Sequence, residues 1–149
     1  SRTRKIQLEE DLGVEWVPRL DYLLAESDFV TLHVPLNTQT HHLLSDQQFK
    51  SMKRGSFLIN TSRGKIVDSK SLKTAISSGI LSGVALDVTD PEPLPFDDEL
   101  LGMDNVLITP HISSASTATV NAMGIMAAHN VIAALSGQKM PSCLNPQVF

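Results

Sequence analysis

The sequence has little cysteine, no excess of basic residues and no long apolar run. Each of these excludes a class of protein. The chain contains one cysteine, Cys143, so an internal disulfide is ruled out and a reducing compartment is favoured. The formal net charge of −4 leaves no basic excess for binding nucleic acid or an anionic membrane. No continuous apolar run reaches the ~18 residues that span a bilayer, and no apolar stretch follows the charged start as in a secretory signal. We therefore expect a soluble, cytoplasmic chain without nucleic-acid or membrane partners.

The spacing of a metal site is also lacking. His41 and His42 are adjacent, so on a helix or a strand their side chains point apart. Neither cysteine nor carboxylate lies at zinc-ligand spacing. We therefore predict that the chain binds no metal.

Hydrophobic periodicity alternates between two types along the chain. Four apolar runs of strand length, the first expected to be buried, alternate with segments that have apolar residues at helical spacing. Only the last two runs are separated by a Pro- and Asp-rich loop, residues 89–104. Strands are predicted at residues 29–34, 57–61, 81–88 and 106–109, and helices at residues 20–27, 45–55, 68–79 and 116–136. Ser45 and Gln48 form a capping box at the start of the second helix. This alternation predicts an α/β fold with a mostly parallel sheet and right-handed crossovers.

The last predicted helix is the longest. Apolar residues recur along it at helical spacing and are expected to form one stripe. The stripe consists of Val120, Met123, Ala127, Val131, Ala134 and Leu135. Gly137 is expected to end this helix, and a proline-containing tail follows.

Three polar segments directly follow predicted strands. They are residues 60–64 (Asn-Thr-Ser-Arg-Gly), 87–93 (Asp-Val-Thr-Asp-Pro-Glu-Pro) and 109–114 (Thr-Pro-His-Ile-Ser-Ser). Because parallel strands end at the same edge of a sheet, these segments are expected to lie at one edge. In open α/β sheets that edge is where ligands bind.

The side chains delivered by these segments suit the reduction of a carbonyl group. Arg63 can hold a carboxylate through two parallel hydrogen bonds. His111 can donate a proton to a developing alkoxide, and Glu92 can keep that imidazole charged and oriented. Taken singly, each residue also has a plainer interpretation: a surface arginine, a solvated acidic loop and a structural histidine. Gly64 permits either a close backbone approach or a positive φ.

The three segments, in this order and spacing, resemble the C-terminal portion of the D-isomer-specific 2-hydroxyacid dehydrogenases, glyoxylate/hydroxypyruvate reductase branch. The resemblance runs along essentially all 149 residues. It implies a partial Rossmann-like, doubly wound parallel sheet with a C-terminal helix and tail. Residues 1–137 would be the NAD(P)-binding domain without its first β-α-β unit, and residues 138–149 a tail returning to the substrate lobe. Because no G-x-G-x-x-G turn is present, we expect the chain to be a fragment.

The resemblance also implies residue roles. Arg63 would bind the carboxylate and the carbonyl oxygen of the substrate, and Glu92 would pair with His111, the proton donor, and keep it protonated. Asp87 would accept a hydrogen bond from the nicotinamide carboxamide, and a loop-capping role is the alternative. Many family members have glycine where Ser113 stands, which leaves the local geometry near the carboxamide in question.

Further cofactor and substrate contacts follow from the same resemblance. Basic residues after the second Rossmann strand hold the 2′-phosphate of NADP, and the Ser-Arg-Thr-Arg start matches that pattern. A frayed charged terminus is the alternative, and turn roles are the alternative for Pro35 and Thr40. The expected cofactor-binding residues are Ser1, Arg2, Arg4, Pro35, Thr40, Thr61, Asp87 and Ser113, and the expected substrate-binding residues are Arg63, His111 and Ser114.

The implied function is NADPH-dependent reduction of a short 2-oxo acid, of the glyoxylate or hydroxypyruvate type, to the D-2-hydroxy acid. NADP(H) would be preferred over NAD(H), and the protein would be a homodimer. Two alternatives remain open. One is a catalytically inactive, truncated remnant, and the other is a dinucleotide-sensing module that acts as a corepressor or scaffold.

Overall fold

A computed structural model of the chain describes residues 3–148. These residues form two compact units, which divide between Pro110 and His111. The helices and strands are α1 Ile6–Leu12, α2 Leu20–Glu26, β1 Phe29–Leu32, α3 Asp46–Ser51, β2 Ser56–Asn60, α4 Ser69–Ser77, β3 Leu81–Leu86, β4 Val106–Ile108 and α5 Thr117–Leu135. Short 3-10 helices lie at Gly64–Ile66, Glu99–Gly102 and Pro146–Val148. The predicted boundary after residue 137 stays a prediction.

The first unit is built on one parallel sheet. Its four strands lie in the order β1-β2-β3-β4, and every neighbouring pair is parallel. The last residues of the strands, Leu32, Asn60, Leu86 and Ile108, pair with one another across the sheet. All four strands therefore end in one row, which we call the carboxyl edge. The predicted α/β fold with a parallel sheet is confirmed.

One face of the sheet and the helices α2 to α4 enclose the hydrophobic core of this unit. Leu24 on α2, Phe49 on α3 and Leu58 on β2 are among its most buried side chains. Burying a side chain of this size contributes about 1.5–3 kcal/mol to folding. The apolar residues at helical spacing thus position the sheet whose carboxyl edge carries the three polar segments.

The opposite face of the sheet is exposed in this chain. Phe29 is 68% exposed and stacks on Phe57, with ring centroids 5.1 Å apart. Gly83 makes room for this pair, because a Cβ there would lie 2.8 Å from the ring of Phe57. The prediction that the first strand is buried is therefore wrong. Only Val30 and Leu32 point into the core, since successive side chains of a strand alternate between its faces.

Local sequence signals set most of the element ends. The Ser45 N–H and Oγ both donate to Gln48 Oε1, at 3.2 and 2.7 Å, so the predicted capping box is present. Gly79 follows α4 with a φ of +69°, a left-handed conformation that suits glycine. The strands end one or two residues earlier than predicted. Helix α1 was not predicted, because none of its residues is buried and it carries no core-facing pattern.

Asp68 caps the N-terminus of α4, and its removal is expected to destabilise the protein. Its carboxylate accepts hydrogen bonds from the hydroxyl and the N–H of Ser71, which lower the pKa of Asp68. Asp68→Ala should cost about 1 kcal/mol in the free energy of unfolding at neutral pH. Because the pKa is lowered in the folded state, the stabilisation is lost as the pH falls below about 4.

Chemical denaturation at several pH values checks this expectation. The matched control is Asp46→Ala, because Asp46 is an exposed first-turn acid paired with Lys50 and should change stability by less than about 0.5 kcal/mol. Equal losses for the two variants at neutral pH would contradict the capping role of Asp68.

Helix α5 lies where it was predicted, but it carries more apolar surface than the predicted stripe. Exposed apolar residues, among them Ile125, Met126 and Ile132, lie outside the predicted stripe, so the helix is apolar on every side. The predicted stripe is therefore only part of the apolar surface of α5. By length and composition alone α5 could cross a membrane, and core helices of soluble proteins can have the same length and composition. Counting continuous apolar residues missed it because Asn121, His129 and Asn130 interrupt the run.

Candidate functional site

The loop that follows β2 carries Arg63 and is held by buried hydrogen bonds. Asn60, the last residue of β2, is 1% exposed. Its Oδ1 accepts from the N–H of Ser62 at 3.0 Å, and its Nδ2 donates to the carbonyl of Arg63 at 3.0 Å. The Ser62 hydroxyl donates to the carbonyl of Leu32 at the end of β1, also at 3.0 Å. The backbone on both sides of Arg63 is thus fixed, and its exposed guanidinium donates to the carbonyl of Ser62 at 2.6 Å.

Gly64 joins this loop to the one that follows β3. A Cβ at Gly64 would lie 1.8 Å from the carbonyl oxygen of Thr89 and 2.8 Å from the nitrogen of Asp90. Its φ is not in the left-handed region, so of the two roles left open by the sequence the close backbone approach applies. The Ser69 hydroxyl adds a hydrogen bond to the carbonyl of Asp90 at 2.8 Å. The loops carrying Arg63 and Glu92 are therefore in direct backbone contact.

Adding a methyl group at Gly64 is expected to push these two loops apart. The neighbour is backbone rather than a flexible side chain, so Gly64→Ala should cost about 3 kcal/mol or more in the free energy of unfolding. Gly102→Ala is the matched control, because a Cβ there meets nothing within 4 Å. Thermal unfolding of both variants measures the difference. A Gly64→Ala protein as stable as the control would show that the close contact is absent in solution.

Glu92 lies in an exposed part of the loop after β3. The peptide bonds before its flanking residues Pro91 and Pro93 are both cis. Further along, Asp98 pairs with Lys73 of α4 at 3.0 Å, which ties the loop to the core. Burial alone raises the pKa of Asp98, but the N–H of Leu100 and the ammonium of Lys73 outweigh it and leave the pKa lowered. The far end of the acidic loop is thus anchored to helix α4, while Glu92 is exposed.

Asp87 is a buried carboxylate at the end of β3. It is 5% exposed, and the Thr109 hydroxyl donates to its Oδ1 at 2.6 Å. The N–H of Asp87 donates to the carbonyl of Asn60, and the N–H of Thr109 to that of Leu86, both at 2.9 Å. These bonds continue the sheet past the strand ends. Asp87 is thereby oriented by its two neighbouring strands.

His111 begins the second unit, directly after the strand–loop junction at Pro110. Its φ is +56°, a left-handed conformation that non-glycine residues adopt rarely and at a cost of about 1–3 kcal/mol. Ser113 and Ser114 form the turn that follows, which is closed by a hydrogen bond from Ala115 N–H to the carbonyl of Ile112 at 2.9 Å. Strained residues of this kind cluster at functional sites, so the conformation favours a functional role for His111.

Pro35 and Thr40 lie in a separate loop, whereas Thr61 lies in the loop that carries Arg63. The Thr40 hydroxyl donates to the carbonyl of Pro35 at 2.6 Å and accepts from Asn37 N–H at 2.9 Å, which gives both predicted residues a turn role. Thr61 lies half-buried between Asn60 and Ser62. Whether these residues also contact a cofactor stays a prediction.

The charged N-terminal pattern is described only in part. Ser1 and Arg2, both expected to bind cofactor, lie outside the described residues. The guanidinium of Arg4 is exposed and holds the carboxylate of Glu9 with two bonds of 2.8 and 3.1 Å. The hydrogen bond from Arg4 lowers the pKa of Glu9. A 2′-phosphate at Arg4 would therefore have to compete with Glu9.

Two surface concavities of about 520 Å³ each lie away from this edge. One covers the exposed sheet face around Phe29 and Phe57, and the other lies beside α2. Neither is lined by Arg63 or Glu92. Among residues 3–148, no group of three or more His, Cys, Asp or Glu side chains is arranged to hold a metal ion. The polar carboxyl edge, whose loops carry Arg63 and Glu92, is the candidate site.

Three polar residues that build this edge were not predicted to do so: Asn60 and Thr109 were placed in the polar segments without a role, and Ser69 was not named. An asparagine at a strand end two residues before a serine is a known turn signal, because its side chain can accept the second N–H after it. Ser69 and Thr109 form hydrogen bonds to other loops of the first unit. No local sequence pattern predicts such bonds.

The parallel sheet, its polar carboxyl edge and the helices on one face define a dinucleotide-binding type of α/β domain. Residues 1–113 match the model of the D-isomer specific 2-hydroxyacid dehydrogenase family, NAD binding domain. The chain belongs to this family.

Relatives and solved structures agree with this membership. The chain is 48% identical over 145 residues to a glyoxylate reductase of Korarchaeum cryptofilum, and 43% identical over 149 residues to one of Thermococcus onnurineus. These alignments cover 97% and 100% of this chain but 43% and 44% of the relatives. The chain thus spans less than half the length of these curated relatives.

Two solved structures also superimpose on this chain. The holo D-mandelate dehydrogenase of Rhodotorula graminis superimposes with a TM-score of 0.87 at 33% identity, over 94% of this chain and 41% of that one. A family member from Xanthobacter autotrophicus, in complex with NADPH and MES, gives 0.73 at 33% identity, over 87% and 52%. The Rossmann-like fold is therefore confirmed.

Proposed function

We propose that the full-length protein carrying this sequence reduces a short 2-oxo acid to a D-2-hydroxy acid with a nicotinamide cofactor. The observation that carries this proposal is the backbone contact of Gly64 with Thr89 and Asp90. That contact holds the loops of Arg63 and Glu92 together at the carboxyl edge of the parallel sheet. Glyoxylate-type acids are proposed because the relatives from Korarchaeum and Thermococcus are glyoxylate reductases.

Each residue has a defined task in this proposal. Arg63, on a fixed backbone, binds the carboxylate of the substrate with two hydrogen bonds and polarises the carbonyl oxygen. His111 donates a proton to that oxygen. Glu92 stabilises the protonated imidazole, and Ser114 contacts the substrate. The bound cofactor supplies the hydride.

The described residues fit the nicotinamide end of the cofactor. Asp87 presents a buried carboxylate at the carboxyl edge, which suits the amide donors of the carboxamide. Thr61 and Ser113 lie in the loops on either side of it in sequence. A pyrophosphate needs a glycine-rich turn, and these 149 residues contain none. NADPH preference is proposed from the basic start of the chain and from the NADPH-bound relative of Xanthobacter.

A homodimer is also part of the proposal. Helix α5 is apolar on every side, and none of its residues is buried within this chain. An apolar surface of that kind is typical of a helix covered by another protein surface. The native mass of the full-length protein, measured over a range of concentrations, tests this. A strictly monomeric mass would contradict the dimer.

A cofactor titration with the full-length protein separates the proposed function from its alternatives. NADPH consumption with glyoxylate and with hydroxypyruvate, faster than with NADH, is the expected result. NADPH binding without turnover of either acid would favour the dinucleotide-sensing module. Neither binding nor turnover would indicate a remnant that kept the fold alone.

A further inference from the structure

We propose that Asn60 is a positioning residue that fixes the guanidinium of Arg63 for the reaction, acting through two backbone hydrogen bonds. This inference rests on the proposed function. Asn60 with its bonds to Ser62 N–H and to the carbonyl of Arg63 is here called the Asn60 clamp. Asn60 itself is only 1% exposed within the row of strand ends, so it acts through the loop and not by touching the substrate.

The clamp uses both ends of one amide. Its oxygen accepts from Ser62 and its nitrogen donates to Arg63, which brackets the peptide link between these two residues. The backbone of Asn60 is fixed in turn, because it pairs with Leu32 of β1 and Leu86 of β3. Arg63 therefore sits on a loop tied to the centre of the sheet.

An ionised aspartate at position 60 would keep one hydrogen bond of the clamp and lose the other. It has nearly the shape of asparagine and still accepts from Ser62, but an ionised carboxylate cannot donate to the carbonyl of Arg63. A protonated carboxyl can donate. Asn60→Asp is thus expected to lose activity increasingly as the pH rises, and to recover it in acid.

The decisive measurement is kcat/KM of the full-length protein with glyoxylate and NADPH across pH. Asn60→Asp should fall about 100-fold below the wild type at alkaline pH, since small displacements of a substrate-binding group have effects of that size. Asn105→Asp is the matched control. Its Nδ2 also donates to a backbone carbonyl, that of Ser82, but before β4, at the opposite edge of the sheet. The control should retain the wild-type pH profile, and equal pH profiles of the two variants would overturn the inference.

A double-mutant cycle distinguishes positioning from general damage. In an Arg63→Ala background, Asn60→Asp should lower kcat/KM by less than about twofold further, because the group it positions is gone. Losses that multiply in the double variant would mean that Asn60 acts independently of Arg63, and the positioning role would be rejected.

Amide hydrogen exchange tests the clamp without relying on activity. In Asn60→Ala, exchange at residues 61–64 should quicken about fivefold to tenfold, because the hydrogen bond to Ser62 N–H is lost. Exchange in α4 should stay as in the wild type. Unchanged exchange at 61–64, or a rise of equal size throughout the first unit, would overturn the clamp. If the wild type reduces no 2-oxo acid, the proposed function fails, and the exchange result still decides for or against the clamp.

Discussion

Replacing His111 with asparagine is expected to lower kcat for 2-oxo acid reduction about 10²- to 10⁴-fold, the usual contribution of a positioned proton donor. Asparagine is chosen because His111 has a φ of +56° and asparagine tolerates the left-handed conformation better than most residues. The backbone should therefore keep its form while the proton donor is removed. NADPH affinity should change little, since the variant loses proton transfer rather than cofactor contacts. Steady-state kinetics and an NADPH binding titration give the two quantities.

His42 provides the matched control for this variant. It is the other histidine with a positive φ, +51°, among the described residues, and its N–H donates to the carbonyl of Lys65 at 2.8 Å. His42→Asn makes the same chemical change in the same backbone conformation outside the candidate site. Its kcat should stay close to that of the wild type. Equal activity of the two variants would remove His111 from the mechanism.

Removing the guanidinium of Arg63 is expected to impair both binding and turnover. Arg63→Ala should lower kcat/KM about 10³-fold, because the substrate loses a bidentate, charge-assisted contact that also polarises its carbonyl. Arg63→Lys should recover only part of this loss, since an ammonium keeps the charge but not the planar pair of donors. Initial rates over a range of glyoxylate concentrations separate the effects on KM and kcat.

Lys65 is the control for charge alone. It is an exposed cation two residues beyond Arg63, in the 3-10 helix that follows the loop. Lys65→Ala removes one positive charge from the same surface without touching the proposed substrate contact. Its kcat/KM should fall less than about threefold, in line with long-range electrostatics that salt screens. A Lys65→Ala loss as large as that of Arg63→Ala would mean that the surface charge, not the bidentate contact, governs activity.

The parallel sheet was predictable because its cause is local. A short apolar run predicts each strand, and Pro, Gly, Asp or Ser predicts each loop that follows. The row of strand ends at Leu32, Asn60, Leu86 and Ile108 then follows from parallel pairing. What the sequence could not show was that this row also buries a polar side chain. Whether Asn60 faces the core or the solvent depends on sheet register, not on its neighbours in sequence.

Gly64 and helix α5 are two further features that could not be predicted in full from the sequence. The sequence left Gly64 open between a positive φ and a close approach, because the answer depends on the position of Thr89 in a different loop. In α5 the periodic positions suggested one stripe, yet the intervening positions are apolar as well. Spacing reveals which residues share a side of a helix. It does not reveal how much of the helix another surface covers.

Substrate discrimination tests the central claim most directly. NADPH consumption by the full-length wild-type protein would be measured with glyoxylate and with an aldehyde of similar size that lacks the carboxylate. A site built around the Arg63 guanidinium should turn over glyoxylate, and should use the aldehyde about 10⁴-fold less efficiently in kcat/KM. Equal efficiency with both compounds, or no consumption with glyoxylate, would contradict the assignment of this carboxyl edge as a 2-oxo acid reductase site.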